Sequence, residues 1–204
     1  NIKMENPGSF RTAGRLFSLD SIQSEFVLSN EGILLSRLDV AMEGLSLGVK
    51  GGIDNLNNPL LDFNFEGSLL AEAVFPDITR RNNLGGRIQL SGHIKDSAGA
   101  PEVSFEIGGQ DLRAGFIGLI DLSTRGIWSK GRLDIVSFET TSSGARLSGE
   151  GSLDLSGTEN AGDIRLRWDG LDLGLLSPFL HERLRIASTS TGRLEARWMK
   201  MNFK

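Results

Sequence analysis

The chain contains no cysteine. That excludes disulfide bridges and thiolate metal centres and leaves the redox compartment open. Tyrosine is also absent, and only 3 Trp and 11 Phe occur among 204 residues. A chain so poor in large aromatics, with 26 Gly and 39% hydrophobic residues, has many turns and little with which to fill a thick core. The absence of Tyr also speaks against a carbohydrate-active sandwich, which needs exposed rings beside a carboxylate cleft. Basic residues do not dominate: 22 Lys and Arg stand against 26 Asp and Glu, for a net charge of −4. No basic stripe exists, so a nucleic-acid partner is disfavoured. No apolar run approaches the roughly 20 residues that span a bilayer as a helix; Leu69 to Phe75 is short and contains Glu72. The chain has no signal-peptide pattern, does not begin with Met, and ends on Met199-Lys200-Met201-Asn202-Phe203-Lys204 without a stop signal. These features lead us to expect a segment of a longer polypeptide.

What is present is alternation. From Ala145 the chain places Leu147, Leu153 and Leu155 on one parity, with Gly149 and Gly151 between them. After a Ser-Gly-Thr-Glu-Asn-Ala-Gly loop, Ile164, Leu166 and Trp168 alternate with Asp163, Arg165 and Arg167. Period-two alternation predicts strands with one apolar and one wet face, and the loop predicts an antiparallel hairpin. The same pattern recurs upstream. Leu38 and Val40 share a parity, as do Leu47, Val49 and Ile53, and Phe63 with Phe65. Further on, Ile88, Leu90 and Ile94 alternate, then Val103, Phe105 and Ile107, and then Leu133 with Ile135. Val136-Ser137-Phe138 shifts the parity by one, which predicts a bulge. Gly108-Gly109 is expected to break its strand. Two Leu-rich stretches read as short helices: Ser68 to Phe75, stopped by Pro76, and Gly170 to Leu180, broken by Pro178.

Five landmarks recur in order at a period of about 100 residues. Arg37-Leu-Asp-Val40 matches Arg132-Leu-Asp-Ile135, and Lys50-Gly-Gly-Ile-Asp54 matches Glu150-Gly-Ser-Leu-Asp154. Asp62 to Gly67 resembles Ile164 to Gly170, the two Leu-rich pieces follow, and Gly86-Arg-Ile-Gln-Leu90 matches Gly192-Arg-Leu-Glu-Ala196. The expected organisation is one elongated all-β unit over 1–204, holding about two repeats (33–95 and 127–204), with no linker.

Catalytic or ligating groups are not evident. His93 and His181 have no acidic or thiol partner at ligand spacing on a common face; Glu182 adjoins His181 but points away along a strand. Gly149-Glu150-Gly151 lacks the third glycine and the strand-to-helix setting of a dinucleotide loop. Thr140 to Ser143 reads as loop. Asp169 with Asp172 reads as strand-end carboxylates rather than a glycosidase pair, and Thr79-Arg80-Arg81 as a solvated polar loop. No cofactor or metal and no enzymatic activity are expected. Gly51, Gly92, Gly149 and Gly151 fall on the apolar parity; they read as bends in the sheet and, compatibly with that, as places where the space above it widens.

The strands Gly85-Gly-Arg-Ile-Gln-Leu-Ser-Gly-His-Ile94 and Pro101-Glu-Val-Ser-Phe-Glu-Ile107, the hairpin Ser148 to Leu155, and Leu28-Ser-Asn-Glu-Gly-Ile-Leu-Leu-Ser-Arg-Leu-Asp-Val40 resemble the AsmA/TamB group of bacterial envelope proteins over residues 15–198. The resemblance implies a β-taco: a long curled antiparallel sheet, polar outside and apolar inside. It implies a place in the periplasm, with an inner-membrane anchor outside this sequence. It further implies carriage of phospholipid between the two membranes or support of outer-membrane protein assembly. The implied partners are phospholipid acyl chains, flanking repeats of the same chain and an outer-membrane β-barrel protein. The alternating apolar residues named above, from Leu38 to Trp168, would line the groove. An adhesive or structural β-solenoid is the alternative, disfavoured by the long period and hairpin-like turns.

Overall fold

Alternation of side chains fixes the architecture. In the computed structural model, which describes residues 2–12, 15–74, 76, 79, 83–115, 118–156, 160–174 and 188–201, nearly every alternating segment is a strand. These are β1 (Ile2–Thr12), β2 (Arg15–Leu28), β3 (Gly32–Met42), β4 (Leu45–Asp54), β5 (Leu60–Leu70), β6 (Leu84–Gly85), β7 (Arg87–Ser97), β8 (Glu102–Ala114), β9 (Leu119–Ser129), β10 (Arg132–Ser142), β11 (Ala145–Asp154), β12 (Asn160–Asp172) and β13 (Thr189–Met201). Twelve of them pair in chain order, antiparallel throughout, into one curled, unclosed sheet; only β6 lies off the path, against β8. Antiparallel pairing distinguishes the sheet from the parallel rungs of a β-helix. Tight turns make the meander possible. Lys130-Gly131 and Ser143-Gly144 have positive φ at both residues (50° and 76°; 47° and 89°), the geometry whose twist matches two-residue hairpins.

Each expected helix opens as strand. Ser68, Leu69 and Leu70 continue β5, because each finds a partner in β7 and the first two also pair with β4. Pairing on both sides overrides the helix preference of a Leu/Ala run there, and α1 follows at Ala71–Val74; Pro76, expected to end the helix, and Thr79 are themselves helical. Gly170 to Asp172 likewise belongs to β12, beyond a bulge at Gly170 (φ 64°); residues 175–180 of that stretch lie outside the described residues. Thr140 to Ser142, expected as loop, completes β10. Gly108-Gly109 does not end its strand. β8 runs on to Ala114 with a register shift between Gly109 and Leu112. The bulge expected at Val136-Ser137 is present between Ile135 and Phe138.

The strand registers repeat. β3 pairs β4 from Gly32↔Asp54 to Met42↔Leu45 with a shift between Leu35 and Leu38. β10 pairs β11 from Arg132↔Asp154 to Ser142↔Ala145 with a shift between Ile135 and Phe138. β2–β3 and β9–β10 correspond equally well: Phe26↔Leu35 and Glu25↔Arg37 answer Gly126↔Ile135 and Arg125↔Ser137. Gly8↔Leu19 in β1–β2 answers Arg113↔Leu119 in β8–β9. Six strands, β1 to β5 and β7, are thus followed by six more, β8 to β13, in the same registers. The landmark at Lys50 to Asp54 sits in this frame as matched from sequence. Arg37 does not: its counterpart is Ser137, and Arg132 answers Gly32. Both arginines nevertheless form the same local ion pair two residues on, Arg37 Nε with Asp39 and Arg132 Nε with Asp134.

A core is nearly missing. Among the described residues only Ala71 and Leu112 are buried apolar side chains, and no large side chain is fully buried. The accessible surface is 14069 Å², whereas a compact monomer of 22.1 kDa exposes about 9,300 Å². Among the described residues, strands touch chiefly their sheet neighbours, and no second layer covers them. Ala71, Gly85 and Leu112 are buried where α1 and β6 meet the shifted part of β8.

Candidate functional site: the apolar face

Cross-strand partners point to the same side of a sheet, so the registers assign every residue to a face. One row crosses β2 to β13 as Phe26, Leu35, Gly51, Phe63, Ile94, Val103, Trp128, Leu133, Leu153, Gly162 and Trp198. The next runs Ser24, Leu38, Val49, Phe65, Gly92, Phe105, Gly126, Ile135, Gly151, Ile164 and Ala196. A third runs Ile22, Val40, Leu47, Gly67, Leu90, Ile107, Thr124, Phe138, Gly149, Leu166 and Leu194. Ile53 flanks these rows between Ile33 and Leu61, Ile88 opposes Leu69, and Leu147 lies between Thr140 and Trp168. The register therefore brings the sequence-predicted residues of the strands to one side. Leu155 falls just past the end of β11 and is 47% exposed. The others are half-buried, shielded by one another rather than by a covering layer.

The face spans about 53 Å across twelve strands at about 4.8 Å each. Its five rows cover about 27 Å along the strands, at about 6.8 Å between residues of one face.

The glycines on this face have occupants. Gly92 stands opposite Phe65, Gly126 opposite Phe105, Gly162 opposite Trp198, and Gly192 opposite Trp168. A Cβ at these positions would lie 2.5, 2.4, 2.5 and 2.4 Å from a ring carbon of the respective partner. At Gly149 the occupant is Leu166, at 2.7 Å. Each large side chain lies over the bare backbone of its partner, which shields that backbone and lowers the relief of the face. The expectation of open space above these glycines is corrected at Gly92 and Gly149, whose volume is already filled. Gly51 differs: its φ of 144° and a Cβ-to-Asp62 carbonyl distance of 1.9 Å make it a close backbone approach opposite the β3 bulge.

The opposite face is charged and internally paired. Arg165 of β12 bonds Glu150 of β11 at 2.7 Å and Glu195 of β13 at 3.4 Å. These carboxylates raise the arginine's pKa, the bond to Glu150 first. Lys95 meets Glu102 at 3.0 Å, which raises the lysine's pKa, and Arg146 meets Glu139 at 2.8 Å. His93 Nε2 lies 2.7 Å from Asp62 Oδ1. That acidic neighbour was missed in the sequence, because β5–β7 register alone brings the two together. Asp154 is held below the usual carboxylate range by the Ser156 hydroxyl and then its N–H. Shallow depressions open on this polar side. One of about 720 Å³ is lined by residues including Gln89, Gly108, Ser123 and Glu139, and another of about 700 Å³ includes Asp39, Glu66, Ser91 and Glu106.

The remaining candidates resolve individually. Asp169 accepts a bond from Thr191 Oγ1 and Asp172 from the Gly174 N–H, so each carboxylate is engaged locally. Gly149-Glu150-Gly151 lies within β11. Thr79 is buried. His181, Glu182, Arg80 and Arg81 lie outside the described residues. Among the described residues no group of three His, Cys, Asp or Glu side chains is placed to hold a metal ion, and no helix is long and apolar enough to cross a membrane. No family model, curated protein or solved structure matches this chain.

Proposed function

We propose that the apolar face is a lipid-carrying surface, part of a β-groove that conducts phospholipid between two membranes. The observation that carries the reading is the apolar face itself: three unbroken rows of mainly apolar side chains and glycines across the sheet, with ion pairs on the other side of β3, β5 and β7 to β13. A surface of this kind costs free energy in water, and an acyl chain removes that cost on both partners. About fifteen methylenes would gain on the order of 12 kcal/mol if fully shielded, and roughly half that on an open face. The five-row breadth of about 27 Å is close to the hydrocarbon thickness of a bilayer, about 30 Å. Glycines filled by neighbouring rings leave a low surface without deep pockets, which suits passage better than tight binding.

In this reading the protein acts without a catalytic residue or cofactor. It works in the periplasm, fixed to the inner membrane through a segment outside this sequence, with flanking repeats continuing the surface and an outer-membrane barrel receiving it. The resemblance to AsmA/TamB proteins supports the same assignment. The test places a photocrosslinking amino acid at Phe105 or Leu166 on the apolar face and at Ser104 or Arg165 on the polar face. Vesicles of phosphatidylethanolamine and phosphatidylglycerol with a radiolabelled tracer supply the lipid. Label should attach from the apolar positions only. Attachment from neither apolar position, or equally from both faces, would refute the reading.

A further inference from the structure

The apolar face has a grain. Residues that follow one another along a row stand on neighbouring strands about 4.8 Å apart, whereas the rows lie about 6.8 Å apart along the strands. The side chains deepen this difference by leaning along the rows. Phe65 lies over Gly92 and Phe105 over Gly126 in the second row, Trp198 over Gly162 in the first, and Leu166 over Gly149 in the third. Leu47 stands in the same way beside Gly67, 3.4 Å from the place of its Cβ. Each large group closes the gap in its own row rather than the step between rows. The strand direction is interrupted instead. Bulges break the alternation between Leu35 and Leu38 on β3 and between Ile135 and Phe138 on β10, and Gly149 and Gly151 follow one another on β11. At the rim, outside the three rows, Leu112 lies over Gly109 of its own strand. The relief is therefore a set of ridges across the strands with furrows between them.

We infer that a bound acyl chain lies lengthwise in a furrow between two rows, perpendicular to the strands. This orientation rests on the lipid-carrying reading above and adds to it the direction in which the cargo lies. A chain in a furrow touches side chains on both flanks and meets the same two rows on every strand. A chain laid along a strand would cross a ridge about every 6.8 Å and would meet the bulges of β3 and β10. An extended chain of about 15 Å, half the hydrocarbon core of a bilayer, spans about three strand spacings. Between the first and second rows it reaches from Phe63 and Phe65 on β5 to Trp128 and Gly126 on β9, passing Ile94 and Phe105. The rows run from β2 to β13, so a chain in this position advances along its own axis without lifting over a ridge.

The test uses a phosphatidylglycerol with diazirines near both ends of one acyl chain, diluted in vesicles of phosphatidylethanolamine and phosphatidylglycerol. After irradiation and trypsin digestion, mass spectrometry identifies the residues that a single chain has joined. We expect Phe63 or Phe65 to be joined to Gly126 or Trp128, and joins of this kind, across two or more strand boundaries, to exceed joins within one strand roughly fivefold. Joins confined to one strand, such as Leu90 with Ile94, would overturn the inference and leave the lipid reading standing, because the chain would still occupy the apolar face. Equal shares of the two kinds would mean a chain without fixed direction, with the same consequence. Attachment nowhere on the apolar face would remove the lipid reading itself, and the orientation with it.

Discussion

Replacing Gly126 with alanine should destabilise the sheet in the native sequence and cost far less once Phe105 is removed. Gly126 sits in β9 opposite Phe105, whose ring would lie 2.4 and 2.9 Å from the new methyl carbon. Ordinary carbon contacts are about 3.5–4.0 Å, so the ring must retreat by more than about 1 Å and expose the backbone beneath it. Overpacking of this kind costs about 1–3 kcal/mol, and the low end applies here because Phe105 is only half-buried. Against that stands a gain of about 0.4–1 kcal/mol from the stiffer unfolded chain. The expected net loss for Gly126→Ala is therefore about 0.5–2 kcal/mol. Phe105→Ala should itself cost about 2 kcal/mol, roughly half the value for a fully buried ring. In that background no ring opposes the methyl group, only the Asp134 carbonyl at 3.0 Å remains, and the cost of Gly126→Ala should shrink toward zero. Urea unfolding followed by far-ultraviolet circular dichroism reads all four corners of the cycle, provided the slopes stay equal. If Gly126→Ala has the same effect in both backgrounds to within about 0.3–0.5 kcal/mol, the two residues are uncoupled. The ring-over-glycine account of this face would then be wrong.

Other outcomes follow from the charged side and the rim. Glu72 receives the Gly86 N–H at 3.0 Å and pairs with Arg113 at 2.8 Å. The Gly86 bond, then the glutamate's own N–H and the arginine, hold its pKa below 4.5. Its contribution is therefore complete above the unfolded value and fades as pH falls through the lower folded one. Amide exchange of Ala71 and Gly86 should accelerate only below about pH 4.5, and in Glu72→Gln it should be fast at neutral pH as well. Arg165→Ala removes two exposed ion pairs, yet the melting midpoint in 0.15 M salt should hardly move; a large drop would show the polar face to be structural. Val27 and Leu34, paired on the polar side and each 59% exposed, form an apolar blemish. Val27→Thr with Leu34→Glu should slow aggregation, measured by light scattering, without lowering the urea midpoint.

The apolar face was legible in the sequence because a strand has a period of two, and residues such as Leu47, Val49 and Ile53 keep their side wherever the strand lies. What depends on register was not. His93 and Asp62 are 31 positions apart and become neighbours only once β5 and β7 are aligned. The Leu-rich end of β5 reads as helix when taken alone, since nothing in Ser68-Leu69-Leu70 announces the partners waiting on both sides. The repeated Arg-Leu-Asp piece was matched at the wrong positions for a related reason. Arg37 and Arg132 lie on opposite sides of the bulge in their respective strands. An odd offset of five residues and the one extra residue of the bulge cancel, so both arginines reach the same face and make the same ion pair.

A sheet of one layer has to find its cohesion in the plane. Helices or a second sheet would ordinarily shield such a face, and here side chains from adjacent strands do part of that work by lying across glycines. Where a ring crosses a glycine, the contact is between neighbours in the sheet, so stability accumulates strand by strand, as in other repeat architectures. The same arrangement leaves the outer surface of the rings unspent. A packed core would hold each apolar atom against another of the same chain; this sheet holds one side of each ring and presents the other. Extending the sheet by another unit adds in-plane contacts and lengthens the exposed face in the same step. Cohesion and an accessible apolar surface therefore grow together, and a fold stabilised in this way can become long without ever closing over the surface it offers.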